Sequence, residues 1–304
     1  MDGNLLPNPK VRLARWFSSV RGISFLQSKW TRGFVVGLIL GVASWGLWTL
    51  APEDEPEFLE RFRGGTLVIA GGGDLPSIVQ RRFWELAGGK KGRLVIIPAY
   101  EATPADIARL KAEWKDWQFR SVKVLQATER EQAENPDFAV PISKADAVWL
   151  SGGEQSWLAQ LYAETPVETQ LQALLDRGGL IGGTSAGASI MTRVMIEEGQ
   201  RTAKLNRGLD LLKDSVVDQH FFQRNRPQRL IGAVKGQPNL MGFGVDEGTA
   251  LVVQVPQGRL GVIGKSYVMA CFSEEHDEHT RFEILKPGDM TNMDRLRRPE
   301  KLID

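Results

Sequence analysis

The sequence predicts an α/β domain on a mainly parallel sheet, preceded by one N-terminal transmembrane helix. Three observations carry this reading. From about residue 61, short apolar runs alternate with segments of helical spacing; three of those runs end in glycine-rich turns; and residues 34–51 carry no charge. Short apolar strands joined by helices imply a parallel sheet covered on both faces.

The elements follow in order. Thr66–Ala70 (TLVIA) reads as a first strand ending in Gly71-Gly72-Gly73, with a helix from Pro76 to Ala87. Arg93–Pro98 is the second strand, Thr103-Pro104 opens a polar helix to about Asp116, and Val122–Leu125 is the third strand. Ala145–Leu150 is the fourth and ends in Ser151-Gly152-Gly153. Helices Gln155–Ala163 and Pro166–Arg177 lead to a fifth strand, Gly179–Gly182. After it, Ala188, Ile190, Met191, Val194 and Met195 have helical spacing, and Val245, Leu251–Val255 and Val262–Val268 predict later strands, some antiparallel. Ligands of such folds bind beyond the carboxyl ends of the strands, where glycines let backbone N–H groups approach closely.

The N-terminus is a separate unit. Residues 1–33 carry Lys10, Arg12, Arg15, Arg21, Lys29 and Arg32 against one acidic residue, Asp2. The apolar run Phe34–Ala51 would span about 27 Å as a helix, close to a bilayer core. Trp30, Trp45 and Trp48 lie near its two ends, where indoles favour the membrane interface. The basic flank predicts a cytoplasmic leader and an exported remainder, periplasmic or extracellular. The alternative is a signal peptide cleaved after Thr49-Leu50-Ala51, which would secrete the protein. Residues 52–63 are expected to form an acidic linker, 64–290 the α/β domain and 291–304 a C-terminal tail.

Composition narrows the chemistry. The net charge is +1, from 38 basic and 37 acidic residues, which gives no electrostatic reason to expect a nucleic-acid partner. Cys271 is the only cysteine, so no intrachain disulfide forms; its apolar run YVMACF suggests a core position. With three histidines, no CxxC and no HExxH, a zinc site of the usual kind is not expected.

Gly183-Thr184-Ser185-Ala186-Gly187 matches G-x-S-x-G between an expected strand and an expected helix. That context suits a nucleophile elbow, with Ser185 at a helix N-terminus that favours developing negative charge. On the pattern alone, a plain small-residue turn explains it equally well. As nucleophile, Ser185 would use the N–H of Ala186 as one oxyanion donor and Gly152-Gly153 as the best source of a second. The serine needs a base, and His220, between Val216-Val217 and an expected helix from about Asn225 or Pro227, is the best placed; His276 and His279 lie in the acidic stretch EEHDEH. An α/β-hydrolase esterase would instead place its histidine late, at His276 or His279. Arg224, Arg226 and Arg229 crowd the start of the expected helix, where cations oppose its dipole. They either pair with protein carboxylates or line a pocket for a substrate carboxylate.

Taken together, SGGEQ (151–155), GGTSAGAS (182–189), DQHFFQRNRPQRL (218–230) and GFGVDEGTALVV (242–253) resemble the cyanophycinase branch of the S51 serine peptidases, relatives of aspartyl dipeptidase. The resemblance covers roughly residues 64–290. It implies a three-layer sandwich like class I glutamine amidotransferases, Ser185 as nucleophile, His220 as base, and backbone donors at Gly153 and Ala186. Gln155, Asp218, Gln219, Arg224, Arg226 and Arg229 match positions associated with substrate binding or site support. The third catalytic residue is expected between serine and histidine in the chain, which selects Glu198, beside Glu197. Asp210 and Asp214 share that interval, and Asp246 and Glu247 end an expected strand that could also reach the site. The implied substrate is a carboxylate-bearing peptide or polymer cleaved at aspartyl-type bonds, as when β-Asp-Arg dipeptides are released from polyaspartate bearing arginine side groups. No metal or organic cofactor is implied, and a homodimer is compatible with the family. An inactive exported binding protein on the same fold is the non-enzymatic alternative.

Overall fold

In the computed structural model, the described residues are 55–298, apart from 236, 238 and 274–279. The leader and the proposed anchor at 34–51 lie outside them, as do His276 and His279. Among the described residues no helix is long and apolar enough to cross a membrane.

Five parallel strands form one side of an eight-stranded sheet, out to its edge: β1 (Thr66–Ala70), β2 (Arg93–Ala99), β3 (Ser121–Val124), β4 (Ala147–Gly153) and β5 (Leu180–Thr184). They lie in the order β1-β5-β4-β2-β3. The expected strands are therefore present, within a few residues of their expected ends. Their side chains alternate between two covered faces. Val68, Leu94, Ile96 and Trp149 pack with Val79 and Phe83 of the helix Ser77–Leu86 and with Leu110 of the helix Pro104–Ala112. Leu67, Ile69, Val95, Ile97, Val148 and Ile181 face the other way, against Leu158 and Leu171 of the helices Gln155–Tyr162 and Pro166–Asp176. Burial on both sides explains why these strands read as unbroken apolar runs.

The sheet is more mixed than the sequence suggests. β6 (Val194–Glu198) and β7 (Lys204–Arg207) form a hairpin, followed by β8 (Ser215–Asp218) and β9 (Met241–Val245). β10 (Thr249–Gln254) runs antiparallel beside β1 and continues the large sheet through β11 (Arg259–Gly264) and β14 (Met290–Asn292). β8 and β9 are parallel neighbours in a separate four-stranded sheet completed by β12 (Val268–Ser273) and β13 (Thr280–Leu285). Cys271 is fully buried in β12, where burial pushes its thiol up to about 12.

One expected helix is cut short. The helix after Ser185 spans only Ala186–Ser189, and Val194 and Met195 lie in β6. The Ile190 and Met191 carbonyls, which a longer helix would use internally, instead accept N–H bonds from Leu209 (2.8 Å) and Leu211 (3.0 Å). Tertiary pairing overrides the local 3.6-residue spacing there.

Candidate active site

Ser185 follows the carboxyl end of β5 in a backbone conformation rare for a side-chain-bearing residue, φ 53° and ψ −112°. Such geometry costs on the order of 1–3 kcal/mol and persists only where its surroundings enforce it. The enforcement is visible here. The Ser185 N–H donates to the Ala70 carbonyl at 3.0 Å, and Gly187 passes so close to β4 that a Cβ would sit 2.1 Å from the Leu150 carbonyl oxygen. The glycine of the G-x-S-x-G pattern therefore lets the turn lie directly on the sheet. Ala186 is the first residue of the short helix, so its N–H has no acceptor within that helix. Gly152 lies against the serine from the end of β4, where a Cβ would be 3.7 Å from Ser185 Cβ.

His220 meets the serine from the second sheet. Its Nε2 is 2.8 Å from Ser185 Oγ, and its Nδ1 is 2.6 Å from Glu247 Oε1. A carboxylate only accepts, so Nδ1 carries the proton, and Nε2 presents its lone pair to the serine hydroxyl. The acid on the histidine is thus Glu247, in place of the expected Glu198. Glu198 lies on β6 with its side chain 66% exposed and pairs with Lys204 Nζ at 2.9 Å; Glu197 pairs with the same lysine at 3.1 Å. Topology explains the exchange. β8 and β9 are parallel and adjacent, with Asp218 opposite Gly244, so the turns that follow them, bearing His220 and Glu247, emerge side by side.

The histidine turn is held at several points. His220 has φ 49°; its N–H donates to the Gly71 carbonyl (2.7 Å), and the Phe221 N–H to the Val245 carbonyl (3.3 Å). Asp246, next to Glu247, accepts from the N–H groups of Phe222 and Gln223 on one oxygen, both at 3.0 Å, and from Ser266 Oγ on the other at 2.7 Å. The Gly71-Gly72-Gly73 turn has a role that the sequence reading missed: a Cβ on Gly72 would sit 2.4 Å from His220 Cε1, and one on Gly73 would sit 2.8 Å from Glu247 Oε2. These glycines make room for the imidazole and its carboxylate. The signal in the sequence was three glycines at a strand end, which a ligand-approach turn explains equally well.

The arginine cluster divides. Arg229 grips the fully buried Asp218 carboxylate with Nε (2.9 Å to Oδ2) and Nη2, and gives Nη1 to the Gly199 carbonyl. Arg226 Nη1 donates to the Gln219 backbone carbonyl (2.6 Å), to Gln219 Oε1 (2.9 Å) and to Asp218 Oδ1 (3.4 Å). Pairing with a protein carboxylate is therefore the reading that holds for Arg226 and Arg229. Asp218, Gln219, Arg226 and Arg229 are all buried, and they brace the histidine turn from below. Arg224 alone of the three keeps an exposed side chain. Gln155 is engaged too: its Nε2 donates to the carbonyls of Ile196 (3.3 Å) and Glu197. Removing Arg229 would leave the Asp218 carboxylate in the core with a fraction of its partners. Arg229→Ala is expected to lower unfolding free energy by about 3–5 kcal/mol, read as a shift in the urea midpoint.

The imidazole is kept neutral. Burial pushes the His220 pKa below its ordinary 6.5, and the charges of Arg224 and Arg226 push the same way, against the hydrogen bond and charge of Glu247. A hydroxyl hydrogen-bonded to a neutral imidazole, itself oriented by a carboxylate, can deliver an alkoxide to an acyl carbon and return the proton to a leaving amine.

Comparison with known proteins agrees with this chemistry. The chain matches the sequence model of peptidase family S51 over residues 67–260. It is 35% identical over 217 residues to a cyanophycinase of Geminocystis herdmanii, covering 68% of this chain and 79% of that protein. It is 34% identical over 215 residues to a cyanophycinase of Synechococcus elongatus, covering 66% of each chain. A cyanophycinase of Trichormus variabilis is 36% identical over 199 residues, covering 62% of this chain and 66% of its own. Among solved structures, a peptidase from an acI-B1 Actinobacterium shares the fold with a TM-score of 0.61 at 22% identity, covering 76% of this chain and 98% of that one. The chain belongs to peptidase family S51 and is a serine-type peptidase.

Proposed function

We propose that the chain is a cyanophycinase-like peptidase that hydrolyses aspartyl-type peptide bonds through Ser185, His220 and Glu247. The observation that carries this is the continuous relay from the serine hydroxyl through the imidazole to the carboxylate, at 2.8 and 2.6 Å. Ser185 Oγ adds to the acyl carbon while His220 Nε2 takes its proton. The N–H groups of Ala186 and Gly153 are the donors for the oxyanion. His220 then protonates the departing amine, and a water activated by the same nitrogen releases the acyl group from Ser185. The exposed Arg224, close enough to lower the His220 pKa by its charge, is the candidate for holding a substrate carboxylate.

The substrate class rests on the cyanophycinase relatives and on that arginine. Incubation with cyanophycin, β-Asp-Arg and α-aspartyl peptides, with Ser185→Ala as control, tests it. Release of β-Asp-Arg from the polymer by the wild-type chain alone is expected. No cleavage of any of the three would remove the substrate class.

The pH profile tests the base. Activity needs neutral His220, whose pKa in the folded chain is depressed, so the midpoint of the acid limb of kcat/KM lies below pH 6.5. Arg224→Gln removes a cation that lowers this pKa, so the acid limb moves up toward 6.5; a limb that stays in place would take that charge away from the imidazole. The apolar run at 34–51 is proposed to anchor this unit at the outer face of a membrane, with the basic leader inside.

A further inference from the structure

From the edge of the sheet opposite Ser185, we propose that the catalytic unit rests on an anionic lipid surface, so that its active site faces away from the membrane. Three adjacent parallel strands, β4, β2 and β3, begin side by side there. The turn before β2 carries Lys90 and Lys91, the turn before β3 carries Arg120, and the turn before β4 carries Lys144; all four are exposed. Hydrogen bonds stitch the turns into one surface: the Arg120 N–H donates to the Gly92 carbonyl (2.9 Å), and the Asp146 N–H to the Arg93 carbonyl (3.0 Å). Of the acidic groups near this edge, Asp146 is taken by Arg93 at 2.9 Å, and the exposed Glu113, Asp116 and Asp176 before β3 and β5 are set against Lys90, Lys91, Lys115, Arg120 and Lys144. The cations at the strand starts thus remain in excess.

Two half-buried indoles adjoin these cations. Trp84 and Trp117 have ring centroids 5.9 Å apart, and Gly89, one residue before Lys90, lies against Trp84, with a Cβ position 3.4 Å from the ring. Lysines beside half-exposed indole rings suit a headgroup layer, with the Trp84 ring edge and not its buried Nε1 at the surface; a polyanion without aromatic bases, such as polyphosphate, would use the charges but not the indoles. Helix Glu55–Arg61 leads into the amino end of β1, where Thr66 Oγ1 donates to the Phe62 carbonyl. Only Pro52, Glu53 and Asp54 separate that helix from the end of the apolar run at Ala51. This linker is acidic, so attraction to anionic lipid has to come from the folded unit.

The full chain reconstituted in phosphatidylcholine nanodiscs, with and without phosphatidylglycerol, tests this. Because Cys271 is the only cysteine and is fully buried, Gln118→Cys and Gln223→Cys each accept one fluorophore, the first among the basic turns and the second beside the active site. Doxyl-lipid quenching at position 118 is expected only in discs with phosphatidylglycerol. It should weaken as salt is raised and disappear in the variant K90E/K91E/R120E/K144E, whose Ser185 still reacts with a fluorophosphonate. Position 223 should stay unquenched in both discs. Equal quenching at 118 in both lipids, quenching at 223, or no lipid contact while the chain binds a soluble polyanion would each overturn the proposal. None of these readouts depends on peptidase activity, so this proposal can fail without the proposed function failing.

Discussion

Glu247→Ala reduces kcat by on the order of 10⁴-fold, while Glu198→Ala leaves it within about twofold. The first magnitude follows from what the carboxylate does. It accepts the Nδ1 proton at 2.6 Å, which fixes the tautomer that turns Nε2 toward Ser185 and stabilises the imidazolium formed during attack; loss of an equivalent carboxylate in other serine peptidases costs this much. The second follows from exposure, because Glu198 meets only Lys204 at the surface, and surface substitutions away from special features change free energies by about 0.5 kcal/mol or less. Glu247→Gln separates orientation from charge, since an amide can accept from Nδ1 but supplies no negative charge to the imidazolium. It should fall between wild type and the alanine variant. Steady-state kinetics on all three, with far-UV circular dichroism to confirm folding, checks the set. Equal losses in the Glu198 and Glu247 variants would remove Glu247 from the relay.

Gly72→Ala should lower kcat by at least about 10²-fold while leaving a folded protein. The added methyl would lie 2.4 Å from His220 Cε1 and 2.6 Å from Nε2, and Gly72 has φ 98°, a conformation that L side chains rarely adopt. Either the imidazole leaves Ser185 or the turn moves and carries the Gly71 carbonyl that holds the His220 N–H. A misplacement of about 1 Å at a reacting group costs roughly 10²-fold, and the backbone strain adds about 1–3 kcal/mol of destabilisation. The substitution touches neither the nucleophile nor the acid, so loss of kcat with a cooperative unfolding transition retained would show that the glycine turn sets the geometry of the base. Unchanged kcat would mean that His220 has a second productive position.

The parts of the site legible in the sequence are those written in contiguous residues. Ser185 sits in a five-residue pattern whose small neighbours are demanded by the approach of Gly187 to Leu150, and the strand before it is a buried apolar run. His220 follows such a run and was the best placed of three histidines. Glu247 was harder to select because its position depends on a pairing that no local pattern encodes. β8 and β9 must lie parallel, across the intervening helix Pro227–Val234, before His220 and Glu247 meet. The chain order of the catalytic residues implied by the family resemblance favoured Glu198, but strand register decided the outcome. The arginines show a related limit. Spacing placed Arg226 and Arg229 at the start of a helix, and Asp218 was visible eight and eleven residues upstream, yet only burial shows that the carboxylate claiming them is the protein's own. Gly72 and Gly73 were legible as a turn; the side chains they accommodate come from more than a hundred residues away in the chain.

The central claim is that Ser185 is activated by His220 and Glu247. A fluorophosphonate reaction followed by peptide mapping tests it most directly, because it reads the nucleophile without requiring the substrate. One adduct per chain, on Ser185, is predicted for the wild type, with labelling rates strongly reduced in His220→Ala and Glu247→Ala and unchanged in Glu198→Ala. Folded wild-type protein that takes no label at Ser185, or that labels equally fast without His220, would contradict the account.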